Sequence, residues 1–137
     1  MIKFTIPIQP HTKKNSQRII INPRTKHPMI IQSAIYKQYE KDCKFFMPKI
    51  ETINEPVNIK YTFYRKDKHL CDLSGFIQAM DDILVKYGVI ADDNFNIVVG
   101  HDFSRVMIDK ENPRVEVEIS AFACLDWNKW GIRYERQ

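Results

Sequence analysis

Apolar positions along the chain switch between two periods, and the switches mark the elements. Lys3-Phe4-Thr5-Ile6-Pro7-Ile8 alternates like a strand, with Pro7 at its edge or end. A polar stretch from Gln9 to Gln17 follows and contains Lys13-Lys14-Asn15. Arg18-Ile19-Ile20-Ile21 and Pro28-Met29-Ile30-Ile31 flank Asn22 to His27, which predicts a hairpin with a basic tip. Ser33 is placed to cap a helix over 34–47, where Ile35, Tyr39, Cys43 and Phe46 recur at helical spacing until Pro48 stops it.

Val57 to Tyr64 predicts a strand with Val57, Ile59, Tyr61 and Phe63 on one face, running directly into Arg65-Lys66-Asp67-Lys68-His69. The clearest element is a second helix. Leu73, Phe76, Ile77, Met80, Ile83, Leu84 and Tyr87 form its apolar face, with Asp72 at the N-cap and Gly88 at the C-terminal end. Asn96 to Val99 and Arg114 to Ile119 predict two more strands. The expected architecture is α+β: one mixed, mostly antiparallel sheet with two main helices packed on it. Residues 1–122 make the domain. In the remaining tail, 123–137, Trp127, Trp130 and Tyr134 fall at i, i+3 and i+7, a short helix that packs back on the domain or contacts a subunit.

The length of 137 residues suits one domain with one modest core. No apolar run is long enough for a transmembrane helix and no signal-peptide core follows Met1, so a cytoplasmic protein without membrane contact is expected. Cys43, Cys71 and Cys124 are widely spaced and read as reduced thiols. The net charge of +4 conceals a division. Residues 1–70 carry a balance of +9 and residues 71–137 a balance of −5. A basic half suggests polyanion binding, and five aspartates between Asp72 and Asp93 suggest a bound cation.

Each aspartate has an ordinary explanation when taken singly. Asp72 is a helix cap, Asp92-Asp93-Asn94 a turn, and Asp81 with Asp82 a solvated face on the polar stripe of Ser74 and Gln78. Together they have another. If the strand after Asp93 pairs beside the one ending at Tyr64, the Asp92-Asp93 turn returns near Asp72, and converging carboxylates call for a hard divalent ion. His101-Asp102 is not an acid–base pair if it lies on a strand, since neighbours there point to opposite faces. His11, His27 and His69 show no metal-ligand spacing.

Asp72-Leu73-Ser74-Gly75-Phe76, then Asp82-Ile83-Leu84-Val85-Lys86-Tyr87-Gly88-Val89-Ile90, then Asp92-Asp93, resembles the core of RusA-type Holliday-junction resolvases. The Pro10-to-Asn15 stretch is similar to that family's polar loop after its first strand. The segments Val98 to Arg105 and Asn112-Pro113-Arg114 look like relatives found in phages of Gram-positive bacteria. The likeness covers about residues 2 to 120 and implies a RusA-like domain.

By activity, the resemblance implies a homodimeric, Mg²⁺-dependent endonuclease, with Mn²⁺ as a substitute ion, that cuts four-way DNA junctions and leaves 5′-phosphate ends. On its terms Asp72 and Asp93 bind the metal, Asp92 supports them, and Ser74 stands at a further ligand position, for which Asp82 or Asp81, a turn further along the same stripe, is the substitute. Two departures stand out. Ser74 and Gly75 replace the family's second aspartate and asparagine, and Gln78 occupies the place of its catalytic lysine. A weakened or non-cutting protein that binds branched DNA or a protein partner is the alternative. Lys13, Lys14, Asn15, Arg18, Arg65, Lys66 and Lys68 are the candidate DNA contacts, spread over loops and strand ends in a way that suits phosphates rather than base edges.

Overall fold

The computed structural model describes residues 1–13, 17–32 and 34–122. In chain order the elements are β1 (Ile2–Ile6), β2 (Gln17–Ile21), β3 (Pro28–Gln32), α1 (Ala34–Cys43) continued by a 3₁₀ turn (Lys44–Phe46), β4 (Val57–Arg65), α2 (Leu73–Lys86), β5 (Val98–Gly100), β6 (Arg105–Ile108) and β7 (Arg114–Ala121). β4 is the spine of a five-stranded sheet. β7 pairs antiparallel along one side of it and β1 pairs antiparallel with β7. Both β5 and β6 run parallel to β4 on its other side, β5 near its start and β6 near its end. The chain reaches them from β4 through α2, the long crossover that parallel pairing requires. β2 and β3 form a separate antiparallel hairpin. The architecture is α+β, as the periodicity predicts.

Register explains why one face of the sheet is the core. Ile2 and Ile59 both lie opposite Ile119, Phe4 and Tyr61 opposite Val117, and Ile6 and Phe63 opposite Val115. Three apolar rows therefore cross the sheet on one side. Phe76, Ala79, Met80, Ile83 and Leu84 of α2, with Tyr36, Tyr39 and Cys43 of α1, complete the same buried cluster. Each fully buried large side chain there stabilises the fold by roughly 1.5–3 kcal/mol. Gly88, at φ +73°, takes the left-handed conformation that ends α2.

Three details depart from expectation. The buried face of α1 is Tyr36, Tyr39 and Cys43, while Ile35 is 63% exposed and Phe46 is exposed on the 3₁₀ turn. Leu73 of α2 is exposed and Asp81 is buried. The strand expected over Asn96 to Val99 is β5, Val98–Gly100, and a second short strand, β6, follows it along the same edge of β4. Ser33 and the tail 123–137 lie outside the described residues. Among the described residues no helix is long and apolar enough to cross a membrane.

Candidate active site

The site is built along α2, where the basic and acidic halves of the chain meet. Residues 7–13 leave β1 and run past the end of β4 and the start of α2. Gln9 Oε1 accepts the backbone N–H of Lys66 at 3.0 Å, and Thr12 lies so close to Gly75 that a Cβ there would sit 3.3 Å from the Thr12 methyl. A side chain at Gly75 would press on Thr12, so the glycine lets this segment lie close against the helix. Lys13 then reaches along the same helix and donates to Asp82 Oδ2 at 2.5 Å, both groups half-buried.

Beside this segment is an open cleft of about 460 Å³ lined by Thr12, Leu70, Cys71, Asp72, Ser74, Gly75 and Gln78. Asp72 holds the N-cap position of α2, yet its side chain makes no capping hydrogen bond. Its carboxylate is exposed and lines the cleft instead. Ser74 and Gln78 share that lining, one turn apart on the helix.

The Asp92–Asp93 turn meets the other end of the helix. Asp92 is a turn-builder: it accepts the Asp93 backbone N–H at 2.7 Å and the Asn94 side-chain amide at 3.1 Å, and these hydrogen bonds hold its carboxyl below the usual carboxylate range. Asp93 is the opposite case. Burial pushes its carboxyl up, helped by the hydrogen bond it shares with Asp92 and by the charges of Asp82 and Asp81. Asp82 is ten residues beyond Asp72, about 15 Å along the helix axis. The carboxylates thus stand in two places, Asp72 at the cleft and Asp82 with Asp93 further along, where sequence spacing alone suggested one cluster.

A third group went unanticipated. Asp81 is 6% exposed and accepts the Tyr61 hydroxyl at 2.5 Å, while His101 Nε2 lies 2.9 Å from its other oxygen. His101 stacks on the Tyr61 ring at 5.7 Å. Burial, then the adjacent carboxylate, pushes the Tyr61 phenol well above its ordinary range, so it remains a donor. His101 is not on a strand. It opens the turn between β5 and β6, where Asp102 N–H is held by Asn58 Oδ1 and Ser104 Oγ accepts the Tyr61 N–H. A hint lay in the sequence: Tyr61 belongs to the inward row of β4, and a buried phenol needs a polar partner.

Arg65, expected among the DNA contacts, is a correction. It is 9% exposed, lies over the Phe76 ring at 5.4 Å, and donates to the His69 carbonyl at 2.7 Å. It braces the loop after β4. Lys66 and Lys68 on that loop are exposed. Arg18 falls on β2. Lys14 and Asn15 lie outside the described residues.

Among the described residues no three His, Cys, Asp or Glu side chains gather as a metal cage. Mg²⁺ seldom requires one, because it keeps several waters and is held by one or two carboxylates plus substrate phosphates. The oxygen-only sets, Asp82 with Asp93 and Asp72 with Ser74, are donors of the kind a hydrated ion takes, Lys13 being the cation that pairs with Asp82 in this structure. The desolvation, hydrogen bonding and like charge that raise Asp93 are what such an ion would offset. No family model matches the chain, and no curated protein matches it.

Proposed function

We propose that the protein is a Mg²⁺-dependent, structure-selective DNA endonuclease that resolves four-way junctions, acting as a homodimer. The observation that carries this reading is Asp72: an acid at a helix N-cap that leaves the cap unmade and lines an open cleft, at the end of a loop that carries exposed Lys66 and Lys68. Its sequence context resembles the RusA-type core. Bound Mg²⁺ would polarise the phosphoryl oxygen and activate the attacking water. Asp72, with Ser74 as a further oxygen donor, would hold and orient a hydrated ion at the cleft. Asp93 with Asp82 would offer a second place for one further along α2, and Lys66 and Lys68 would grip flanking phosphates. Gln78 would orient the scissile strand through its amide, since it carries no charge to neutralise.

The test is cleavage of a synthetic four-way junction with Mg²⁺ and with EDTA. Wild type should cut only with the metal. Asp72→Asn and Asp93→Asn should lower the rate at least about a hundredfold while junction binding persists. Normal cutting by both variants would refute the assignment.

Ser74 and Gln78 favour a second reading, a protein that binds branched DNA without cutting it. Under it, wild type is inactive, and Ser74→Asp combined with Gln78→Lys gains cleavage.

A further inference from the structure

Two turns converge on the Asp81–Asp82 end of α2. One carries Asp93, which feels the charges of Asp82 and Asp81, and the other carries His101, which bonds Asp81. Each turn also presents a phenylalanine to solvent: Phe95 is 82% exposed and Phe103 is 72% exposed.

Phe103 has a second peculiarity. Its φ is +68°, a left-handed conformation that bulky residues rarely adopt and that costs energy wherever nothing offsets it. Core packing does not offset it, because the ring lies outside the core. The turn is nevertheless fixed on both sides of the ring. Asp102 N–H is held by Asn58 Oδ1 at 2.9 Å, Ser104 Oγ accepts Tyr61 N–H at 2.9 Å, and Ser104 N–H closes the turn onto the His101 carbonyl at 3.1 Å. A strained backbone held by three hydrogen bonds thus projects an apolar ring two residues before exposed Arg105. Phe95 is presented comparably: Asn94 Oδ1 accepts the Asn96 N–H at 3.0 Å, and the Asn94 carbonyl accepts from Ile97 and Val98.

We propose that Phe103, seconded by Phe95, is a stacking platform for unpaired bases of branched DNA held at this end of α2. The proposal rests on the DNA reading above. An aromatic ring accepts any base on its face and so adds affinity for open or splayed strands without reading sequence. A paired, stacked duplex offers no such face, so the platform favours branch points over continuous helix. Arg105, two residues further along the chain and exposed, supplies the charge that the accompanying phosphate needs.

The experiment uses the full chain in EDTA, with a four-way junction carrying 2-aminopurine beside the branch point and a plain duplex of the same sequence. Wild type should bind the junction and change the 2-aminopurine fluorescence. Phe103→Gly relieves the strain, so its urea midpoint should equal or exceed that of wild type, yet junction affinity should fall roughly tenfold and the fluorescence change should vanish. Duplex affinity should hold. Phe103→Trp should keep the affinity, with its indole emission quenched by the junction, and Phe95→Ala should give a smaller loss of the same kind. A purely structural residue would not move stability and junction affinity in opposite directions. If Phe103→Gly binds the junction like wild type, the platform is refuted while the DNA reading stands. If wild type binds neither DNA, both fall. If Phe103→Gly abolishes self-association and leaves DNA binding intact, the ring serves a subunit contact and the proposal is wrong.

Discussion

At the scale of single residues, the most consequential side chain is Asp81. A carboxylate this deeply buried is tolerated because Tyr61 and His101 both face it. Asp81→Ala would leave the wholly buried Tyr61 hydroxyl without its acceptor, and should destabilise the fold by about 2–3 kcal/mol, read as a lower urea midpoint. Asp81→Asn keeps an acceptor oxygen and should cost less. Helical spacing put Asp81 on the solvated stripe with Gln78, which is where an acid next to Asp82 is expected. What overrides that is the reach of the Tyr61 ring from β4 to α2, a tertiary contact that no local pattern contains. Asp72 shows the converse. Its place at the start of α2 was legible from the sequence, but its freedom from capping was not, because that depends on where the carboxylate turns.

At the scale of elements, long periodic segments were legible and interrupted ones were not. β4 and α2 carry enough apolar repeats to declare their faces, whereas α1 offered two competing stripes and buried the one through Tyr36 rather than Ile35. The edge formed by β5 and β6 is two short pairings broken by a turn, and such a break is set by Asn58 and Tyr61 on the neighbouring strand. The turn from β6 to β7 is simpler and more testable. Arg114 donates to Asp109 at 2.8 Å and to Glu116 at 2.8 Å, and its guanidinium lies 3.7 Å from the centre of the Tyr64 ring. The Arg114 hydrogen bond, then the Asn112 backbone N–H, holds the Asp109 carboxyl below the usual carboxylate range. In acid the unfolded chain therefore takes up this proton before the folded one does. The contribution of Asp109 to stability is present above the ordinary carboxylate pKa and is lost as pH falls through the lowered one. Unfolding by urea across that acid range should show a shallower pH slope for Asp109→Asn than for wild type, while the two slopes agree near neutrality.

At the scale of the molecule, the charge division along the chain becomes a spatial meeting rather than two separate poles. The basic first half reaches the acidic helix through Lys13 and Asp82, and the loop from β4 to the cleft that Asp72 lines carries exposed Lys66 and Lys68. A protein that holds DNA by phosphates releases condensed counterions, so the logarithm of its binding constant falls linearly with the logarithm of salt concentration, by about 0.9 per phosphate contact on duplex. Lys66 and Lys68 are exposed and suited to such contacts. Arg65, adjacent in sequence but turned inward over Phe76, is not. The double variant Lys66→Ala, Lys68→Ala should therefore flatten the salt dependence by about two and weaken binding equally for all sequences, with the urea midpoint unchanged. Conservative replacement of Arg65 by Lys should do the reverse, lowering the urea midpoint because one ammonium cannot keep the bonds to His69 and the face of Phe76, and leaving the salt slope alone. Filter binding of a four-way junction over a salt series, beside urea titrations of the same proteins, separates the two residues. Equal slopes for wild type and the double lysine variant would remove these lysines from the DNA-contacting surface.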